Sequence, residues 1–365
     1  KAVPEATEYP RTIGKDGKLK VTRKNDWTEG FYPGCLWYVY EYTNKEDWKK
    51  AAIKWTESLE PLKKMTNHHD IGFLMYCSFG NAYRLTGNEA YKDVLVESAR
   101  SLCTRFNEKT GCIKSWNYRK SWNGKDEWFY PVIIDNMMNL ELLYFATKVT
   151  GDSVYAKVAN RHAETTAKNQ FREDYSNYHV VNYDAETGEV LNQATCQGFS
   201  DNSAWARGQA WAIYGYTMAY RETHRQDFLD MAVHTADFWL NHPNLPEDGI
   251  PYWDFNAGQE DYVPDWNYDP EIFKVVPRDA SAAAIVASAF LELSGYVTDG
   301  KKYSAAAAHI LKSLSSPAYL AEPGTNCNFI LMHSVGSIPH GEEIDVPLIY
   351  ADYYYLEALM RYKNM

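Results

Sequence analysis

One pattern recurs five times along the chain and constrains its fold more than any other feature. Thr43-Asn-Lys-Glu-Asp-Trp48, Thr86-Gly-Asn-Glu-Ala-Tyr91, Thr150-Gly-Asp-Ser-Val-Tyr155, Thr223-His-Arg-Gln-Asp-Phe228 and Thr298-Asp-Gly-Lys-Lys-Tyr303 each place an aromatic five residues after a Thr. A fixed unit repeated in this way implies one supersecondary motif stacked on copies of itself. Each instance lies between two helical patterns. The stretch before it is apolar nearly all round, as in Ile71 to Leu85; the stretch after it is amphipathic, as in Glu89 to Phe106. A helix apolar on every side must be buried on every side. Each unit therefore reads as a hairpin of one inner and one outer helix. The Thr, Gly and Asn or Asp residues turn the chain between them.

This reading places helices near 33–43, 46–62, 71–86, 89–106, 132–149, 153–170, 204–222, 227–241, 280–296, 301–315 and 347–362. The expected fold is all-α, an (α/α)6 toroid of six helical hairpins. The chain, 1–365, reads as a single catalytic domain with 1–26 as an N-terminal arm. Long connections at 107–130, 171–203, 243–278 and 316–346 fall on one rim, where a cleft is expected; connections this long are usually functional. A β-hairpin is expected within 178–195.

The formal net charge of −11 argues against nucleic acid, which demands a basic surface. No run approaches the roughly 18 apolar residues of a membrane helix. Twelve Trp and 29 Tyr supply either an aromatic core or a cleft that stacks sugar rings. The six cysteines show no metal-ligand spacing; Cys35 and Cys77 read as core thiols, and pairing of Cys103 with Cys112 is left open. A start at Lys1 reads as a mature or trimmed chain. A periplasmic or cell-envelope location is expected, with the cytoplasm left open.

Acidic residues mark the starts of the inner helices: Glu29, Asp70, Asp135, Asp201, Asp279 and Asp345. Capping explains Asp279 and Asp345. Asp135 resists that reading, because Pro131-Val-Ile-Ile-Asp135-Asn-Met-Met surrounds it with apolar neighbours. Burial raises a carboxyl pKa, which suits a general acid; a hydrogen-bonded core carboxylate is the alternative. Asp70 follows His68 and His69, whose side chains are expected to diverge, so no metal is called. In a toroid, Asp70 and Asp135 begin neighbouring inner helices and point into one cleft. Paired carboxylates are the usual device for cleaving glycosides. Gln197 to Trp211 is the densest cluster. Arg207 and Trp211, four apart, share a helix face and suit a carboxylated sugar; an Arg paired with a structural Asp is the alternative.

Trp27-Thr-Glu-Gly-Phe31-Tyr-Pro-Gly34-Cys-Leu-Trp37, His69-Asp70-Ile-Gly-Phe73, Ile133-Ile-Asp135-Asn-Met-Met-Asn139-Leu, and Gln197-Gly through Trp205-Ala-Arg-Gly-Gln-Ala-Trp211 together resemble the unsaturated glucuronyl hydrolases, family 88 of the glycoside hydrolases. The resemblance implies an (α/α)6 toroid. It also implies release of a non-reducing terminal Δ4,5-unsaturated uronate from lyase-generated, glycosaminoglycan-type disaccharides by hydration of the C4=C5 enol ether, without cofactor. It implies Asp135 as general acid/base and Asp70 as its partner carboxylate. By the same resemblance His179, Gln197, Arg207, Trp211, Trp27, Trp116, Ser334 and Ser337 bind substrate. Members preferring sulfated substrates carry Ser-x-x-Ser-x-Lys; here Ser334-Val-Gly-Ser337-Ile-Pro339 lacks the Lys. The partner is then an unsaturated uronate oligosaccharide, with no nucleic acid or membrane, on a monomer or weak homo-oligomer. The alternatives are an unsaturated rhamnogalacturonyl hydrolase on pectin fragments, a polysaccharide lyase and a non-catalytic sugar-binding toroid.

Overall fold

The computed structural model describes residues 6–23 and 25–365; residues 1–5 of the expected arm, and Lys24, lie outside the described residues. The helices are α1 Phe31–Thr43, α2 Glu46–Glu57, α3 Ile71–Met75, α4 Asn81–Thr86, α5 Glu89–Cys103, α6 Leu140–Thr150, α7 Val154–Asn169, α8 Ala206–Thr223, α9 Gln226–Asn241, α10 Ala280–Leu293, α11 Gly300–Leu314 and α12 Ile349–Lys363. A π-helical turn, Tyr76–Gly80, joins α3 to α4 in one column. Among the described residues this makes six inner columns and five outer ones. The inner ring closes because α12 packs on both α10 and α1. No helix among them is long and apolar enough to cross a membrane.

The repeated Thr has a specific structural use. Thr43, Thr86, Thr150 and Thr223 each donate from Oγ1 to the carbonyl four residues back, at 2.6–2.7 Å. Each then accepts the backbone N–H two residues on. The intervening residue, Asn44, Gly87, Gly151 or His224, has positive φ, which ends the inner helix and reverses the chain. The aromatic then seats the outer helix: Tyr91, Tyr155 and Phe228 are buried, whereas Trp48 is 40% exposed. The fifth copy departs from the rule, since α10 stops at Leu293, ahead of Thr298. Its Tyr303 is still buried and donates to Asp237 at 2.8 Å.

Two expectations about elements change. The helix expected from 132 begins later. Pro131–Ile133 is instead a strand paired with Val180–Tyr183, which pairs in turn with Val190–Ala194; the latter two form the hairpin expected within 178–195. A 3-10 turn, Ile134–Asn139, then leads into α6. Asp345 caps no helix; it lies in the strand Glu342–Val346, bonded to His333 at 2.6 Å. All six cysteines are free, Cys103 and Cys112 included. In the inner column of α3 and α4, Asn81 Nδ2 donates to Cys77 O at 2.9 Å, satisfying a carbonyl within the wider π turn.

Inner columns approach closely where glycine permits it. A Cβ on Gly72 would meet Asn139 Oδ1 at 2.4 Å, so α3 lies directly against the turn that carries Asp135. Asn139 Oδ1 accepts the Phe73 amide at 3.0 Å and fixes that contact. The N-terminal strands Tyr9–Ile13 and Leu19–Thr22 pair with each other. Thr12 Oγ1 donates to Pro347 O at 2.7 Å, and Arg11 bridges Asp26 and Glu343. The arm is thereby tied to the hairpin of strands Ser334–Ser337 and Glu342–Val346.

Candidate active site

The inner columns begin on the rim of long connections, and the acidic residues gather there. Asp70 precedes α3 without using its side chain as a cap. Asp135 is buried in the 3-10 turn before α6. The two lie on adjacent columns, close enough for the Asp70 charge to act on Asp135.

Their environments drive them apart. Burial pushes the Asp135 carboxyl up to about 7, with Arg207 opposing and Asp70 adding to the rise. Burial alone would raise Asp70 too, but His69, His68 and Arg105 outweigh it and hold that carboxyl below the usual range. His68 Nδ1 lies 3.4 Å and His69 Nε2 3.3 Å from its two oxygens. The two imidazoles, expected to diverge, instead flank Asp70. Near neutral pH one carboxyl keeps a proton beside one that has lost it, the split that separates an acid from an anionic stabiliser.

His179 completes the pair. Its Nδ1 accepts two backbone N–H groups, from Cys196 at 3.0 Å and Gln197 at 3.1 Å. The ring proton must therefore sit on Nε2, which lies 3.7 Å from Asp135 Oδ2. Burial first, then Arg207 and Arg119, depress His179 well below its ordinary value, so it stays neutral. Among the described residues, Asp135 Oδ2, His179 Nε2 and Trp211 Nε1 are buried without a well-formed hydrogen bond, although Trp211 lies near enough to Asp135 to favour its charged form. Buried polar atoms without partners are costly, and three together form a place where a ligand or water can be held.

The other expected residues surround this core unequally. Arg207 is fully buried and forms the ion pair with a structural Asp: Asp279 Oδ2 at 3.1 Å, while Nη2 reaches Gly336 O at 2.6 Å and Nη1 also bonds Val335 O. Its guanidinium lies between Trp205, at 4.5 Å, and Tyr350, at 5.4 Å. Trp211 packs on Phe73 and Tyr354. Trp27 is half-buried against Phe31, Phe73 and Tyr350. Trp116 is half-buried, edge-on to His179 at 6.1 Å. Gln197 Nε2 donates to Gly336 O at 3.3 Å. Ser334 Oγ is buried without a hydrogen-bond partner among the described residues, and Ser337 Oγ bonds His340 Nδ1. The residues not anticipated are Arg119, His340 and Tyr350; Trp205 belongs to the Gln197–Trp211 cluster already singled out. No local spacing marks them, because each meets the site through contacts distant in sequence.

A cavity of about 560 Å³ opens between inner helices at the short-turn end, lined in part by Tyr38, Glu41, Arg84, Glu141 and Glu357. Its glutamates are held by partners. Glu41 pairs with Arg84, Glu141 with Arg221, and Glu357 accepts from Tyr38, Tyr214 and Ser288. The rim site, with its polar atoms unsatisfied, is the chemically competent one.

Known proteins resemble this chain over most of its length. A family model described as Glycosyl Hydrolase Family 88 matches residues 5–244. An unsaturated glucuronyl hydrolase of Formosa agariphila is 49% identical over 363 residues, 99% of this chain and 86% of the relative. An unsaturated chondroitin disaccharide hydrolase of Streptococcus agalactiae is 35% identical over 97% of this chain and 86% of its own. Among solved structures, an unsaturated glucuronyl hydrolase specific for heparin superposes with a TM-score of 0.91, at 47% identity, over 99% of this chain and 92% of that one. A mutant of the Streptococcus agalactiae unsaturated glucuronyl hydrolase complexed with dGlcA-GalNAc6S gives 0.79, at 32% identity, over 98% and 86%. With the helical toroid, the acid pair at its rim and these similarities together, the chain belongs to glycoside hydrolase family 88.

Proposed function

We propose that this chain is an unsaturated glucuronyl hydrolase that releases a terminal Δ4,5-unsaturated uronate by adding water across C4=C5. The observation that carries the reading is the pair on adjacent inner columns: a buried Asp135, its carboxyl pushed up to about 7 by desolvation, beside an Asp70 that His69 and His68 flank and hold below the usual range.

The ring oxygen makes the alkene an enol ether, so C4 is electron-rich. Asp135 gives its proton to C4, and the resulting cation is shared between C5 and the ring oxygen. Asp70 carries the negative charge that favours this cation. The Asp135 carboxylate then takes a proton from water as that water bonds to C5. The hemiketal so formed opens and expels the neighbouring sugar, with one water consumed and Asp135 restored. His179, as an Nε2–H donor, orients the Asp135 carboxyl or the attacking water. Trp116 and Trp27 supply faces for sugar rings, and Gln197, Trp211, Ser334 and Ser337 complete the binding surface. Arg207 acts on the ligand through its charge and through the strand 334–337 that it holds.

The test is loss of the alkene's ultraviolet absorbance on a panel of unsaturated disaccharides, with Asp135→Asn as control. Loss in the wild type and not in the variant supports the reading; a gain of absorbance would instead mean elimination, and binding without turnover a non-catalytic role.

A further inference from the structure

Arg105, just beyond the end of α5, is a buried cation, 8% exposed. In a chain with 48 acidic residues, it forms no ion pair among the described residues. Its hydrogen bonds go to neutral oxygens instead. Nε donates to Lys114 O at 2.7 Å, Nη2 to Ser115 O at 3.3 Å, and Nη1 to Asn117 Oδ1 at 3.1 Å and to Thr66 O. A buried charge without a contact partner is costly, and an amide donor could serve some of these oxygens without that cost.

The acceptors belong to two segments of the site. Thr66 stands four residues before Asp70, and Ser115 and Asn117 flank Trp116. Ser115 ties the segments further. Its carbonyl accepts the His69 amide at 3.2 Å as well as Arg105, and its Oγ accepts the Ile133 amide at 3.0 Å, two residues ahead of Asp135. The charge of Arg105 acts on Asp70. The groups facing Asp70 are His68 and His69 from its own segment, Arg105 from beyond α5, and Asp135 from the turn before α6. Burial depresses His69 to about 4, so that ring is neutral at neutral pH, whereas a guanidinium stays charged. Around Arg105 itself stand Lys114, which burial and Arg105 depress, and Tyr130, whose phenol burial raises to about 12; neither offers an anion.

The geometry points to Arg105 as a positioning residue for the hydration reaction, one that clamps the Asp70 and Trp116 segments together and gives Asp70 a permanent counter-charge outside ion-pair contact. A guanidinium bonded to Asp70 would occupy its oxygens and cancel much of the negative charge that favours the cationic transition state. One held back on carbonyls favours the anion without covering it. The inference rests on the proposed hydration reaction.

The measurement is kcat and KM by alkene loss across pH in the wild type, Arg105→Lys and Arg105→Gln, with circular dichroism of each. Arg105→Lys keeps the charge and loses the fork of donors. Its KM is expected to rise about fivefold, the scale of a lost hydrogen bond, with the acid limb of kcat unmoved. In Arg105→Gln the midpoint of that limb is expected to rise by about one pH unit, the effect of one charge at a remove. A merely structural role would lower activity by one factor at every pH and leave the limb in place; that result overturns the proposal. An unchanged KM in Arg105→Lys, or an acid limb that moves there, overturns it too, and these two results decide alone if Arg105→Gln does not fold. Absence of alkene loss in the wild type contradicts the hydration reading itself, and the role of Arg105 falls with it.

Discussion

His179 faces Asp135 with its Nε2 at 3.7 Å from Oδ2, and it can do so only as a neutral donor. The amides of Cys196 and Gln197 occupy Nδ1, and burial with two nearby guanidinium groups opposes protonation. The imidazole therefore acts as a fixed hydrogen-bond donor and does not compete with Asp135 for the transferred proton.

From this arrangement, Asp135→Asn is expected to lose activity by about 10²-fold or more, the scale of a general acid's contribution. The fold is retained, because the side chains are isosteric. Alkene loss measured beside circular dichroism checks both statements; wild-type turnover in the variant contradicts them.

The pH dependence follows from the split pair. Asp135, raised to about 7, is the proton donor, so kcat falls as pH rises through about 7. Asp70, held below the ordinary carboxylate range, loses its charge only in more acid solution and sets the other limb. The pair is coupled, so the profile reports apparent values for both together. A rate that climbs through neutrality contradicts the assignment.

The same shift predicts a change in stability. A carboxyl raised on folding makes its full contribution below its unfolded value, near 3.8, and that contribution is lost as pH rises through the folded value of about 7. Asp135→Asn has no such loss. Its Tm is therefore expected to match the wild type near pH 4 and to exceed it at pH 8, with a ceiling of about 4 kcal/mol on the difference. Equal melting curves at pH 8 would mean that Asp135 is not desolvated.

Arg207→Ala is expected to raise KM and to destabilise by about 3–5 kcal/mol, because it leaves the buried Asp279 charge unpaired. It also frees the carbonyls of Val335 and Gly336. Adding Asp279→Asn should recover part of the loss in denaturant unfolding. No recovery would place the cost in the strand instead of the ion pair.

Gly72→Ala tests the column contact that brings the acids together. Its methyl would collide with Asn139, so a cost of about 1–3 kcal/mol and reduced kcat are expected. An unchanged variant would show that α3 can move away without disturbing the site.

Much of this was legible in the sequence because it is local. The Thr-to-aromatic repeat encodes a carbonyl bond four residues back, a positive-φ turn and a seated ring, all within six positions. The apolar setting of Asp135 was legible for the same reason. Other features depend on distant partners. Val132 and Ile133 read as helix, but pairing with Val181 and Val180 makes them strand. Arg207 reads either as a ligand-binding cation or as the partner of a structural Asp, and only the fold supplies that Asp, Asp279, 72 residues away. Arg119 and His340, 221 residues apart, meet only when two rim hairpins fold over one cleft.

The most direct test of the chemistry is turnover in D2O followed by mass and NMR analysis of the released uronate. Protonation by Asp135 predicts one solvent deuterium bonded to C4 of the product, with the alkene gone. Release of a uronate that keeps its double bond and carries no carbon-bound deuterium would contradict the account.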